Sequence, residues 1–147
     1  MEKISSFRGN YRFLSNFYQH PFEFEGLTYP NAEAAFQACK AEDEKERVKY
    51  TLVKNPVRAK QMGRREVLRS DWDEVCYDVM DRILHCKFSD QELAQKLLQT
   101  DGYWLEEGNH WHDNRWGNCD CEKCSGIEGK NWLGKILMGI REELKAA

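Results

Sequence analysis

Between Trp72 and Leu84 the apolar side chains fall at Trp72, Val75, Cys76, Val79, Met80, Ile83 and Leu84, the three-and-four spacing of one buried helical stripe. A helix with such a stripe needs other apolar faces to pack on, and the sequence supplies them. Leu93, Ala94, Leu97 and Leu98 extend the pattern after Asp90, and Leu133, Ile136, Leu137, Ile140 and Leu144 repeat it near the end of the chain. Asn55 followed by Pro56 reads as a cap and a first helical residue, which predicts a helix carrying Arg58, Lys60, Arg64 and Arg65, with Gly63 as a stop signal. Asn31, after Pro30, can cap a further helix that starts at Ala32 and Glu33 and runs through Phe36, Gln37 and Lys40.

Strand signals are fewer. Residues 22 to 29 alternate apolar and polar groups around Glu25-Gly26, as a β-hairpin with one buried face would. Tyr103-Trp104-Leu105 reads as a short strand, and residues 107 to 130 as a long ordered loop, too aromatic to be disordered. The expectation is an α+β fold, a single mostly helical domain over residues 1 to 147 with a small number of strands.

A chain of 147 residues with 41% hydrophobic and 32% charged content can bury a core without disulfides or metals. Its net charge of −3 argues against a general nucleic-acid binder, which is normally strongly basic. Residues 1 to 13 carry no apolar stretch of signal-peptide length, and no later run is long enough to span a bilayer, so a cytoplasmic location and no membrane partner are expected. In a reducing compartment the six cysteines are better read as thiols or metal ligands than as a disulfide framework. Patterns for serine hydrolases, zincins and phosphate-cradling glycine loops are missing from the sequence.

Several residues could carry chemistry. Glu33 lies in a first helical turn beside Tyr29, Phe36 and Gln37. Acids are favoured there simply because they face the positive end of the helix, but the same position could keep a carboxylate ionised in an aromatic cleft, ready to orient water or stabilise a cationic transition state. Asp113 and Trp116 lie together in the long loop, where a ring could stack on a base while the carboxylate holds ribose hydroxyls; an ordinary packing tryptophan is the alternative. Arg58, Lys60, Arg64, Arg65 and Arg69 form a cationic stretch that is either a solvated helix face or a phosphate grip. Cys119, Cys121 and Cys124, with His110 and His112 just upstream, could hold a tetrahedral structural Zn²⁺ or could be reduced thiols in a loop. Cys39, Cys76 and Cys86 read as core or helix residues.

Taken in order, Ser15-Asn16-Phe17, Tyr29-Pro30-Asn31-Ala32-Glu33 with Phe36-Gln37-Ala38 and Lys40, Gly63-Arg64, Asp71-Trp72, Val79-Met80, Lys87-Phe88, Trp116-Gly117, and Gly129-Lys130-Asn131 with Leu133-Gly134 and Met138 resemble the NADAR (YbiA-like) family. That resemblance implies an α+β fold and cleavage of C–N glycosidic bonds, either in riboflavin intermediates or between ADP-ribose and guanine. It implies Glu33 as the catalytic carboxylate, with Asn16, Lys40, Arg65, Trp72, Asp113, Trp116 and Asn131 lining a ribose-phosphate and base pocket. The leaving base would be protonated by Lys40 or Asp113, or would carry its own charge. The implied partner is ADP-ribose or another ribose-phosphate substrate, including ADP-ribosylated DNA, with no cofactor needed for the chemistry. The stretch from Cys119 to Cys124 departs from the glycine-rich linker of the simpler family members.

Overall fold

The computed structural model describes residues 2–147. Its elements in chain order are β1 (Lys3–Ile4), β2 (Phe22–Phe24), β3 (Leu27–Tyr29), α1 (Ala32–Ala38), α2 (Glu44–Tyr50), α3 (Pro56–Arg64), α4 (Trp72–Lys87), α5 (Gln91–Leu98), β4 (Trp104–Leu105), β5 (Gly108–Asn109), β6 (Asn118–Cys119) and α6 (Trp132–Ala146), with short 3-10 turns at Gly9–Leu14 and Glu122–Cys124. Helices dominate and the strands are short, as the α+β expectation required. Backbone contacts cluster into two units, Asn16–Asp90 and the residues up to Ser15 joined with Gln91–Ala147.

In the unit Asn16–Asp90, β2 and β3 form the antiparallel hairpin, with Phe22 opposite Tyr29 and Phe24 opposite Leu27. Glu25 (φ 50°) and Gly26 (φ 84°) are both left-handed, the turn geometry that matches the twist of two short strands. Phe22, Phe24 and Tyr29 turn inward and are buried. Asn31 then caps α1 as expected, its Oδ1 accepting from the Ala34 amide at 2.8 Å, while its Nδ2 donates to Gln19 Oε1 and the Lys54 carbonyl. All seven residues of α1 are buried. Its alanines keep the helix thin, which lets α2, α3 and α4 all pack against it.

α3 begins at the Asn55-Pro56 cap and runs through Arg64, one residue past the glycine read as its stop. Gly63 serves close approach instead: a Cβ there would run into the Gln37 side chain and meet Gln37 Cβ at 3.1 Å. Gly63→Ala is therefore expected to lower stability by about 1–3 kcal/mol through overpacking. Urea denaturation checks this, and an unchanged midpoint would contradict it. Along α4, the anticipated stripe of Trp72, Cys76, Val79, Met80, Ile83 and Leu84 is buried.

In the other unit, β1 pairs parallel with β4, placing Ile4 beside Leu105. Leu93 and Leu97 of α5 and Leu133, Ile136, Leu137 and Ile140 of α6 are buried, and the two helices pack together. Arg141 on α6 is also buried, donating from one guanidinium nitrogen to the Thr100 carbonyl at 2.8 Å and Thr100 Oγ1 at 3.0 Å. The long segment 107–130 contains a small parallel ladder, Gly108 with Asn118 and Asn109 with Cys119. Among the described residues no helix is long and apolar enough to cross a membrane.

Candidate active site

Within the unit Asn16–Asp90, two of the sequence-predicted residues, Asn16 and Lys40, interact with Glu33. The hairpin and the Asn31 cap fix the start of α1, and the Glu33 amide donates to the Asn16 carbonyl at 3.0 Å. The Glu33 side chain sits more than nine-tenths buried, at 7% exposure, a cost that a carboxylate tolerates only when other groups support it. One such group is a turn further on: Gln37 Nε2 donates to Glu33 Oε2 at 3.2 Å, which fixes the orientation of the carboxylate. Gly63 leaves the room in which Gln37 lies.

Two buried amide oxygens have no hydrogen-bond partner among the described residues: Gln37 Oε1, on the amide that grips Glu33, and Asn16 Oδ1, on the residue whose carbonyl accepts from the Glu33 amide. The Asn16 amide nitrogen makes only a long contact to Met80 Sδ, at 3.5 Å. Buried polar atoms are normally satisfied, so acceptors left open next to a buried acid mark a place where a ligand can donate. Lys40 follows on the same segment. Burial pushes its ammonium below the usual lysine range, the charge of Glu33 acts the other way, and Lys60 and Arg64 add to the depression. One carboxylate and two cations thus lie within electrostatic reach of Lys40.

Other expected site residues of this unit have different surroundings. Trp72 is buried and packs against Phe36 at 5.1 Å between ring centroids, so it forms part of the wall behind α1 and not an open stacking platform. Arg65 ends α3 and, with Asn55, Val57, Arg58, Gln61 and Met62, lines a shallow open depression. Arg69 is committed to Asp71 through contacts of 2.6 and 3.1 Å, which removes it from the free cationic surface.

Asp113, Trp116 and Asn131 belong to the other unit. Asp113 Oδ1 accepts from the Arg115 and Trp116 amides at 3.1 and 2.9 Å, so this oxygen stabilises a turn. Trp116 packs edge-on against Trp132 at 5.4 Å, and the cations of Arg115 and Lys130 lie over the Trp132 ring. Asn131 is left-handed at φ 51° and 3% exposed. Its Oδ1 accepts from the Glu107 amide and its Nδ2 donates to the Leu105 carbonyl, so its amide braces the start of α6. Among the cysteines, Cys119, Cys121 and Cys124 gather with His112, all four ligand atoms within 4.8 Å of one another. His110 is turned to Asp120 instead.

Sequence reasoning gave no role to two residues that the structure brings forward. Gln37 was legible as part of the motif, but its grip on Glu33 was not. Lys87 is 1% exposed at the end of α4, its ammonium 5.8 Å from the Tyr18 ring centroid and 5.2 Å from that of Phe88. Burial pushes it down to about 7. A lysine at the end of an apolar stripe was the available signal.

A mostly helical α+β chain that sinks one braced glutamate among open amide oxygens and cations has the form of a small hydrolase site. A family model described as NADAR domain matches residues 5–145, and the chain belongs to that family. N-glycosidase YbiA of Escherichia coli (strain K12) is 38% identical over 138 residues, covering 92% of this chain and 82% of the relative. Riboflavin biosynthesis protein VVA0006 of Vibrio vulnificus (strain YJ016) is 33% identical over 139 residues, 92% of this chain but 36% of that longer protein. The NMR structure of the E. coli protein YbiA superposes with a TM-score of 0.82 at 36% identity, covering 99% of this chain and 88% of that one.

Proposed function

We propose that this chain is a single NADAR domain over residues 1 to 147 that acts as an N-glycosidase, hydrolysing the bond between ribose C1 and a nucleobase-like nitrogen with Glu33 as its catalytic carboxylate. The observation that carries the reading is the buried, Gln37-braced carboxylate, with unpartnered amide oxygens on Gln37 and on Asn16, whose carbonyl accepts from the Glu33 amide. The name N-glycosidase YbiA, borne by relatives that align over most of both chains, supports the reaction class.

The chemistry follows from the groups present. As the C1–N bond breaks, its electron pair leaves with the base nitrogen and positive charge builds on the sugar, which a fixed carboxylate stabilises better than mobile water can. Glu33 then orients the water that adds to C1 and takes up its proton. Lys40, its ammonium made more acidic by burial, supplies a proton to the departing nitrogen in this reading. Asn16 and Gln37 accept from sugar hydroxyls.

For substrate we favour ADP-ribose attached to guanine. Lys40, Lys60 and Arg64 form a cationic group suited to a pyrophosphate, and with a net charge of −3 any DNA strand would be held by its modified base, so salt should weaken activity only mildly. A phosphoribosylamino-pyrimidine of riboflavin synthesis is the second reading, favoured by the names of the Vibrio and maize relatives, of which this chain spans 36% and 23%. Side-by-side assays should show release of ADP-ribose from guanine-modified DNA. Cleavage of the pyrimidine intermediate alone would reverse the choice of substrate and keep the reaction; cleavage of neither would contradict both.

A further inference from the structure

The fourth corner of the cysteine cluster is a histidine that reaches back to it from an unusual backbone position. His112 lies at φ 68°, a left-handed conformation that non-glycine residues seldom adopt, and this turn brings its ring to the thiols. Its Nδ1 is 3.3 Å from Cys121 Sγ, 3.4 Å from Cys124 Sγ and 3.9 Å from Cys119 Sγ. With zinc–sulfur and zinc–nitrogen bonds near 2.3 and 2.0–2.1 Å, two corners of a tetrahedron, one sulfur and one nitrogen, lie roughly 3.6 Å apart. The three separations bracket that value.

The surroundings are those of a thiolate site. The His112 amide donates to Cys119 Sγ and Asn114 Nδ2 to Cys124 Sγ, both at 3.3 Å. Such donors stabilise negative sulfur and hold ligands in place. Asn114 Oδ1 in turn accepts from the Cys119 amide at 2.9 Å, so one side chain ties two ligand-bearing segments together. Cys119 and Cys124 are buried, which suits sulfur facing a metal.

We infer that His112 Nδ1 and the thiolates of Cys119, Cys121 and Cys124 bind one Zn²⁺ in a closed tetrahedral site whose role is structural. Binding releases three thiol protons and makes three zinc–sulfur bonds and one zinc–nitrogen bond, leaving no position for a reactive water. The metal clamps the segment from His112 to Cys124, and with it the turn in which Asp113 receives the Arg115 and Trp116 amides.

The test needs no substrate, so it is independent of the N-glycosidase reading. Protein purified in reducing buffer without added metal should contain about one zinc per chain by elemental analysis. Exchange with cobalt should give the thiolate charge-transfer and intense visible bands of tetrahedral cobalt. His112→Ala and Cys121→Ser, each checked for retained helical circular dichroism, should lower zinc content at least several-fold. Should either variant unfold, removing zinc from the wild-type chain with a chelator should expose residues 107 to 130 to protease, and zinc alone should restore protection. Less than about a tenth of a zinc per chain with no cobalt–thiolate bands would overturn the site, as would iron in zinc's place or a His112→Ala protein that keeps full zinc.

Discussion

Glu33→Gln is expected to lower turnover by about 10²–10⁴-fold while leaving substrate affinity within a few-fold of wild type. The substitution keeps the volume and the place on α1, and an amide can still meet Gln37, so folding should be preserved. What it removes is the negative charge that stabilises the sugar cation and orients the attacking water. Single-turnover kinetics with a separate binding measurement distinguish the two effects. A variant that keeps more than about a tenth of the wild-type rate would show that Glu33 does not carry the chemistry.

The stability difference between the wild-type chain and Lys87→Met is expected to move by about 1–4 kcal/mol in favour of methionine as pH falls from about 9 to about 6. The ammonium is fully buried and titrates near 7 in the folded chain against 10.5 ordinarily, because burial disfavours its charge. Below about pH 7 both states are protonated, so the group adds no further pH dependence there. Between about 7 and 10.5 the unfolded chain binds more protons, so native stability gained through this group rises with pH and the advantage of methionine shrinks. The aromatic contacts with Tyr18 and Phe88 favour the charged form and so limit the size of this trend. Denaturation of both proteins at about pH 6 and pH 9 checks the size and the trend. A difference that stays constant with pH, or one that moves in favour of lysine as pH falls, would contradict the argument.

The elements that announce themselves in the sequence are those whose stability comes from a long apolar face or a backbone-specific residue. The stripe from Trp72 to Leu84 became α4, Asn55-Pro56 became the start of α3, Glu25-Gly26 the hairpin turn and Asn31 the cap of α1. Glu44–Tyr50 was not legible as a helix, because only Tyr50 in it is buried and no stripe exists to be read. Two-residue strands such as β1 and β6 depend on partners distant in the chain, and local pattern carries no record of them.

The candidate site divides in the same way. Glu33, Asn16 and Lys40 could be named from sequence because they lie in or near one motif around α1. That the amide of Asn131 and one carboxylate oxygen of Asp113 hold backbone was not legible, since it depends on which amides the fold brings near. His112 and His110 were equally good partners for the cysteines by spacing. A left-handed residue at 112 and the Asp120 carboxylate beside His110 separate them.

The central claim is that water attacks the sugar carbon of an N-ribosyl bond. Cleavage of a ribosylated base in water enriched with heavy oxygen, with the sugar reduced as it is released and both products weighed by mass spectrometry, addresses it most directly. The account predicts label in the sugar, none in the freed base, and loss of both products with Glu33→Gln. Label in the base, or release that persists in that variant, would contradict it.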